Sequence, residues 1–261
     1  MWYNTRIIEY DNRYHITFYK RPIQKVELSE ELQKDLDDFE KEAIISDLGD
    51  PMPDLDPDRQ ARNLQVSLNR SKNNLFYIAN SNKWELFITI TFDRNITDSS
   101  DYNVVSKKIT TFLNNLRKRG SPDLKYLIVP ELHKDGKHYH FHGLLSGADS
   151  LILKDSGHVD TFGEKIYNIV NWKIGFTTCQ KIKDQDRVRN YIGKYITKDL
   201  MNRLKYKKRY FVSKNVNLAK VNLVNMTLDE LYEKFGNNVL YSKSINIGGI
   251  QAVNYYEISK S

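Results

Sequence analysis

Several common protein classes are excluded by what this sequence lacks. Its 261 residues hold one cysteine, Cys179, so an internal disulfide and a cysteine-rich zinc cluster are both ruled out. Cys179 reads instead as a small strand residue near an apolar edge. No apolar run approaches the ~20 residues that a membrane-spanning helix needs. The opening MWYNTRIIEYDNRYH is too polar for a secretory signal, and a cytoplasmic location without a membrane partner is expected. These residues contain no Gly-x-x-x-x-Gly-Lys-Ser/Thr loop, which excludes a P-loop motor among them. Internal repeats and low-complexity tracts are also missing. Only six prolines occur, and three of them fall in GDPMPDLDPD, residues 49–58.

The chain does have the 40% hydrophobic and 12% aromatic residues of a protein able to bury a sizeable core. Its formal net charge of +7 hides an asymmetry. Residues 27–58 carry 13 acidic side chains against two lysines, so the rest of the chain stands at +18. A surplus of that size suits a polyanion-binding surface, because phosphate neutralisation supplies most non-specific affinity for nucleic acid.

Along the chain, RIIEY and YHITFYK flank Asp11 and Asn12 as a hairpin over residues 5–20. Leu32, Leu36, Phe39 and Ala43 then recur at helical spacing, with Ser29 as the N-cap, and the proline-bearing stretch marks a boundary. From Arg59, the residues Ala61, Leu64, Leu68, Leu75 and Ile78 share a helical face. Arg62, Arg70 and Lys72 lie off that face, as a solvated or a DNA-facing set. The strand WELFITITF places Thr89 and Thr91 on one side and Ile88, Ile90 and Phe92 on the other. Val105, Ile109, Phe112, Leu113 and Leu116 mark an amphipathic helix that closes on RKRG.

Four of the six histidines fall within ten residues, in PELHKDGKHYHFHGLL, residues 130–145. Asp135-Gly136 is a strong signal for a two-residue hairpin turn. The register that follows opposes His133 to His138, Glu131 to His140, and Val129 to His142. Glu131, His133, His138, His140 and His142 then share one face, while Ile128, Leu132, Tyr139 and Phe141 take the other. Opposed residues bring their Cβ atoms within about 5 Å, so Glu131, His140 and His142 can converge on one cation. Two imidazoles and a carboxylate leave coordination positions open, as a catalytic site does. A bulge at Pro130 would substitute His133 for Glu131 as third ligand. His138, beside the turn, is expected to be solvated.

In VRNYIGKYITKDL, residues 188–200, the residues Val188, Ile192, Ile196 and Leu200 form the buried stripe expected of one helix. Tyr191, Lys194, Tyr195 and Lys198 then make a doubled Tyr-x-x-Lys on its surface. Gly193 weakens such a helix by about 1 kcal/mol, as if something must come close to the backbone. A tyrosine hydroxyl attacks phosphorus only when a cation polarises the phosphate. The metal-capable face and a neighbouring lysine provide that combination, which points to transesterification of a nucleic-acid backbone.

On three motifs in this order, FITITF (87–92), PELHKDGKHYHFHGLL (130–145) and YIGKYITK (191–198), the chain resembles HUH endonucleases. The resemblance is to rolling-circle replication initiators of single-stranded DNA phages and plasmids, and it covers roughly residues 60–205. It implies an α+β fold with a central, RRM-like antiparallel sheet flanked by helices. The nuclease domain would span residues 59–205, between an N-terminal appendage (1–58) and a basic, β-rich C-terminal extension (206–261). It further implies Mg²⁺ or Mn²⁺ held by His140, His142 and Glu131, and nicking of a single-stranded or hairpin DNA origin. Tyr195 would form a 5′-phosphotyrosyl bond, with Tyr191 as its alternating partner and Lys194 and Lys198 as catalytic cations. Helicase and polymerase would come from the host. A transposase of the same superfamily, a non-catalytic metal-stabilised binding module and a metal-dependent hydrolase are the rival readings. Beyond the motifs, Lys207, Lys208 and Arg209 in KYKKRYFV mix cations with tyrosines, and join Arg70 and Lys72 as nucleic-acid-binding candidates.

Overall fold

The computed structural model describes residues 1–24, 57–197, 200, 203–204, 207–247 and 251–260. The acidic helix expected after Ser29 lies outside these residues, and so does most of the 49–58 stretch. Two antiparallel sheets and, among the described residues, four α-helices make an α+β fold. None of these helices is long and apolar enough to cross a membrane. The chain divides into two compact units, residues 1–39 with 217–261, and residues 40–216.

The first unit joins both ends of the chain in a five-stranded sheet of order β10-β1-β2-β12-β11. Its strands are β1 (Trp2–Tyr10), β2 (Arg13–Gln24), β10 (Lys220–Val224), β11 (Val239–Ile247) and β12 (Gln251–Ser259). Asp11 and Asn12 form the expected turn, with Tyr10 opposite Arg13. Helix α4 (Leu228–Phe235) begins in a full capping box between Thr227 and Glu230, and buries Leu231 and Phe235 against Ile7, Ile16, Phe18, Tyr256 and Ile258.

The second unit holds a seven-stranded sheet, β6-β7-β8-β3-β5-β4-β9. These strands are β3 (Leu86–Phe92), β4 (Lys125–Leu132), β5 (Tyr139–Ser146), β6 (Leu153–Val159), β7 (Lys165–Ile169), β8 (Gly175–Lys181) and β9 (Phe211–Val212). The helices are α1 (Pro57–Asn80), α2 (Tyr102–Lys118) and α3 (Gln185–Ile192). Alternation in β3 sends Ile88, Ile90 and Phe92 into the core, where α2 buries all five of its periodic apolar residues. Burial of such side chains contributes ~1.5–3 kcal/mol each. Cys179 of β8 is fully buried in the same core.

The β4-β5 register pairs Glu131 with His140, Pro130 with Phe141 and Val129 with His142, without a bulge. Pro130 is tolerated for a geometric reason. The His133 N–H donates to the His138 carbonyl across the ladder, so alternation turns the donor-less nitrogen of Pro130 away from β5. On that outer side, β9 pairs only with Leu127 and Ile128, and no ladder bond is lost.

A candidate metal centre and its tyrosine pair

The turn that aims the histidines is built by Asp135. Its carboxylate accepts the backbone N–H groups of Lys137 (2.9 Å) and His138 (3.1 Å), and meets His138 Nδ1 at 2.7 Å. These bonds hold its pKa well below the usual carboxylate range. Arg94 Nη2 donates to the same carboxylate at 2.8 Å, and Gly136 takes the left-handed φ of +63° that the turn requires. His138 is thereby committed to the turn.

His140 and His142 project from β5, an interior strand flanked by β3 and β4. His140 Nε2 lies 2.6 Å, and His142 Nε2 2.8 Å, from the same Glu131 oxygen. One donor atom from each of the three lies within 4.8 Å of the others. His133 packs its ring 4.9 Å from that of His140 but is not a member of this cluster. With no bulge at Pro130, Glu131 keeps the position opposite His140.

Both imidazoles are poised as neutral donors. Burial is the largest cause for each, and it lowers His140 and brings His142 down from 6.5 to about 4, with His140 beside it adding to the effect. Unprotonated nitrogens beside an anionic oxygen fit a hard or borderline divalent cation. His142 is further oriented by Thr89 of β3, whose hydroxyl lies 3.1 Å from Nδ1. When Thr89 accepts from Nδ1–H, the Nε2 lone pair is left for a metal.

The tyrosines approach from α3. Asp184 caps this helix by accepting from the Arg187 N–H at 3.0 Å. The single helix expected over 188–200 ends instead at Ile192, followed by a 3-10 turn, Gly193–Tyr195, and extended backbone at Ile196. A side chain at Gly193 would meet nothing within 4 Å, so its role here is the tightened turn and not close packing. That turn swings Tyr195 inward, 6% exposed, and leaves Tyr191 42% exposed. The Tyr195 ring stacks on His142 at 3.7 Å and 5°. Tyr191 meets Tyr195 edge-on at 5.3 Å and Phe87 at 6.1 Å. Burial raises the pKa of Tyr195 far above the ordinary phenol value, and its hydrogen bond with Tyr191 adds to this. Lys194 sets its ammonium 4.7 Å from the centre of the Tyr191 ring. Lys198 lies outside the described residues.

Of the other candidates, Arg70 and Lys208 are exposed, while Lys72 and Lys207 are half-buried. Arg209 is 3% exposed and donates to Ser67 Oγ (2.8 Å) and Ser71 Oγ (2.9 Å) of α1. Its placement corrects the surface role read from the basic run, because a guanidinium this deeply enclosed, with two serines on Nη1, is not open to a phosphate.

Four residues to which the sequence assigned no role in the site position it. Thr89 and Phe87 stand on the face that β3 shares with the histidines, and Arg189, 3% exposed, donates to the Asn82 carbonyl at 2.8 Å. Gln185 binds the Trp84 backbone in both directions. Arg189 and Gln185 therefore fasten α3 to the turn that leads into β3.

Residues 85–200 match the family model of the replication-associated protein ORF2. The matched segment is thus similar to replication-associated proteins, and it contains the whole constellation: Thr89, Glu131, His140, His142, Tyr191 and Tyr195. No curated protein and no solved structure matches the chain.

Proposed function

We propose that this protein is a rolling-circle replication initiator that nicks and rejoins single-stranded DNA through a tyrosyl-phosphate. The observation that carries the reading is the packing of Tyr195 face to face on His142 at 3.7 Å, while that histidine converges with His140 and Glu131 on one donor cluster. The family match supports the same class of protein. Glu131, His140 and His142 would hold Mg²⁺ or Mn²⁺, which supplies charge stabilisation to the phosphate.

In the step proposed, the Tyr195 oxygen forms a bond to phosphorus and the phenolic proton departs. The bond from phosphorus to the 3′-oxygen breaks, and that oxygen leaves protonated as a free 3′-hydroxyl able to prime synthesis. The 5′-phosphate stays on the tyrosine, and its bond energy is kept for rejoining. Burial holds Tyr195 in its phenol form, so attack depends on positive charge nearby, which Lys194 adds from the outer side. Tyr191, hydrogen-bonded to Tyr195, is placed to act in a second cleavage. Host helicase and polymerase would complete replication.

The test is incubation of the protein with labelled single-stranded origin-like DNA and Mn²⁺. The expected result is a protein–DNA adduct that survives denaturant, needs the metal, and disappears when Tyr191 and Tyr195 are both changed to phenylalanine. Cleavage without an adduct would indicate a hydrolase, and binding without cleavage a recognition module; either outcome overturns the proposal.

A further inference from the structure

The face that carries the candidate metal cluster continues across the sheet beyond β4 and β5 to β3 and β8. Thr91 of β3 lies opposite His140 on one side and opposite Phe176 of β8 on the other. Phe176 therefore stands on the same face as Glu131 and His140, two strands from His140, roughly 10 Å at the usual strand spacing. It is 72% exposed. Its neighbours on that face are polar, with Thr178 exposed and Gln180 half-buried, while the alternate residues Thr177 and Cys179 are buried. The strand is thus half core and half open, and the open half begins with an unburied phenyl ring next to the candidate metal centre.

The far end of this stripe is closed by a second aromatic. Gln180 Nε2 donates to Asp160 at 3.0 Å, which brings the β6-β7 turn over β8. In that turn Phe162 is 64% exposed, and the guanidinium of Arg187, from α3, lies 3.9 Å from its ring centre. Lys154 of β6 adds an exposed cation, since it opposes Asn168, the residue on the other side of β7 from core-packed Tyr167. Exposed rings along an open strand, with cations at the margins, suit a polyanion whose bases have flat faces. Stacking is independent of base identity, and cations beside it meet the backbone.

We infer that β8 is a track for single-stranded DNA, with Phe176 stacking on a base one or two nucleotides from the scissile phosphate and Phe162, backed by Arg187, on a more distant base. The occupant is single-stranded DNA because the stripe is continuous with the metal face and because the chain outside residues 27–58 carries +18. A duplex has its bases stacked internally and offers no free face to the rings. This inference rests on the nicking reading for the position of the scissile phosphate, but not for binding.

The test uses full-length protein and a fluorescent single-stranded oligonucleotide. Equilibrium binding is measured without metal, and adduct formation in single turnover with Mn²⁺. Phe176→Ala is expected to weaken binding about 5- to 150-fold, the range of one lost stacking contact, with the adduct rate at saturating DNA within about threefold of the parent. Phe176→Trp should restore affinity, and Phe176→Leu should not. Placing an abasic site at the stacked nucleotide should make the parent and Phe176→Ala bind alike. Unchanged DNA affinity in Phe176→Ala, with an unchanged melting temperature, overturns the track, as does full rescue by leucine. Loss of binding in a protein that forms no adduct would keep the track and reject the nicking chemistry, so the two failures are distinguishable. If Phe176→Ala alters self-association or capture of a protein and leaves DNA binding intact, the ring belongs to a protein interface and the inference fails.

Discussion

At the scale of single residues, one donor of the candidate cluster, His142, is oriented by a second group. Thr89 acts on the cluster through its hydroxyl, 3.1 Å from His142 Nδ1. Thr89→Val is expected to lower Mn²⁺ affinity about 10- to 100-fold, and Thr89→Ser to retain it, as measured by titration calorimetry. His142 also sets a pH dependence. Its folded pKa, about 4, lies below its ordinary 6.5, so between those values the unfolded chain binds the extra proton. Stability from this group is fully present above pH ~6.5 and is lost as the pH falls towards 4. Urea unfolding without metal should show this loss, and the slope in that window should shrink in His142→Gln; equal slopes would remove His142 as the cause. Cys179, fully buried and with its thiol pushed up to about 12 by that burial, should resist alkylation in the native protein and react only after denaturation.

At the scale of elements, the tyrosines depend on how α3 is held against the strands. Arg189 and Gln185 bond it to Asn82 and Trp84, on the approach to β3. Arg189→Ala removes a buried donor from the Asn82 carbonyl, and should cost about 1–3 kcal/mol in denaturant unfolding. If the clamp also positions Tyr195, adduct formation at saturating DNA should slow in the same variant; a normal rate would confine Arg189 to stability. Gly175, at the start of β8, has a φ of +155°, and a Cβ there would fall 2.0 Å from the Thr91 carbonyl oxygen. Because that obstacle is backbone, Gly175→Ala is expected to destabilise by more than ~2 kcal/mol and to disturb the β3-β8 pairing beneath Phe176. Gly143 is a milder case. A Cβ at that position meets the end of the Ile128 side chain at 2.2 Å, an atom that can move within its buried site.

At the scale of the whole molecule, the proposed function makes charge the expected source of DNA affinity. Single-strand binding should weaken with salt, with a slope of about −0.7 per phosphate contacted in a plot of log K against log salt. A flat plot in fluorescence anisotropy would argue against phosphate contacts as the main source of affinity. The hairpin register was legible in the sequence because it is local. Asp135-Gly136 marks the turn, which is wider than the expected two-residue form and closes with the Gly136 N–H on the His133 carbonyl, and alternation still puts Glu131 opposite His140. The apolar stripes of α1 and α2 were legible because 3.6-residue periodicity needs no partner to be read. Other features depend on residues distant in sequence and could be decided only by tertiary structure. The pairing of β3 with β5 joins Thr89 to His142 across 53 positions, and sheet order is not a local property. The break after Ile192 followed from packing, since burying Tyr195 on His142 needs a tighter turn than an α-helix gives. Arg209 was misread because a basic run looks the same whether its cations face solvent or two buried serines. The pairing of both chain ends in one sheet, and the exposure of Phe176 beside the metal face, are likewise set by contacts between distant strands.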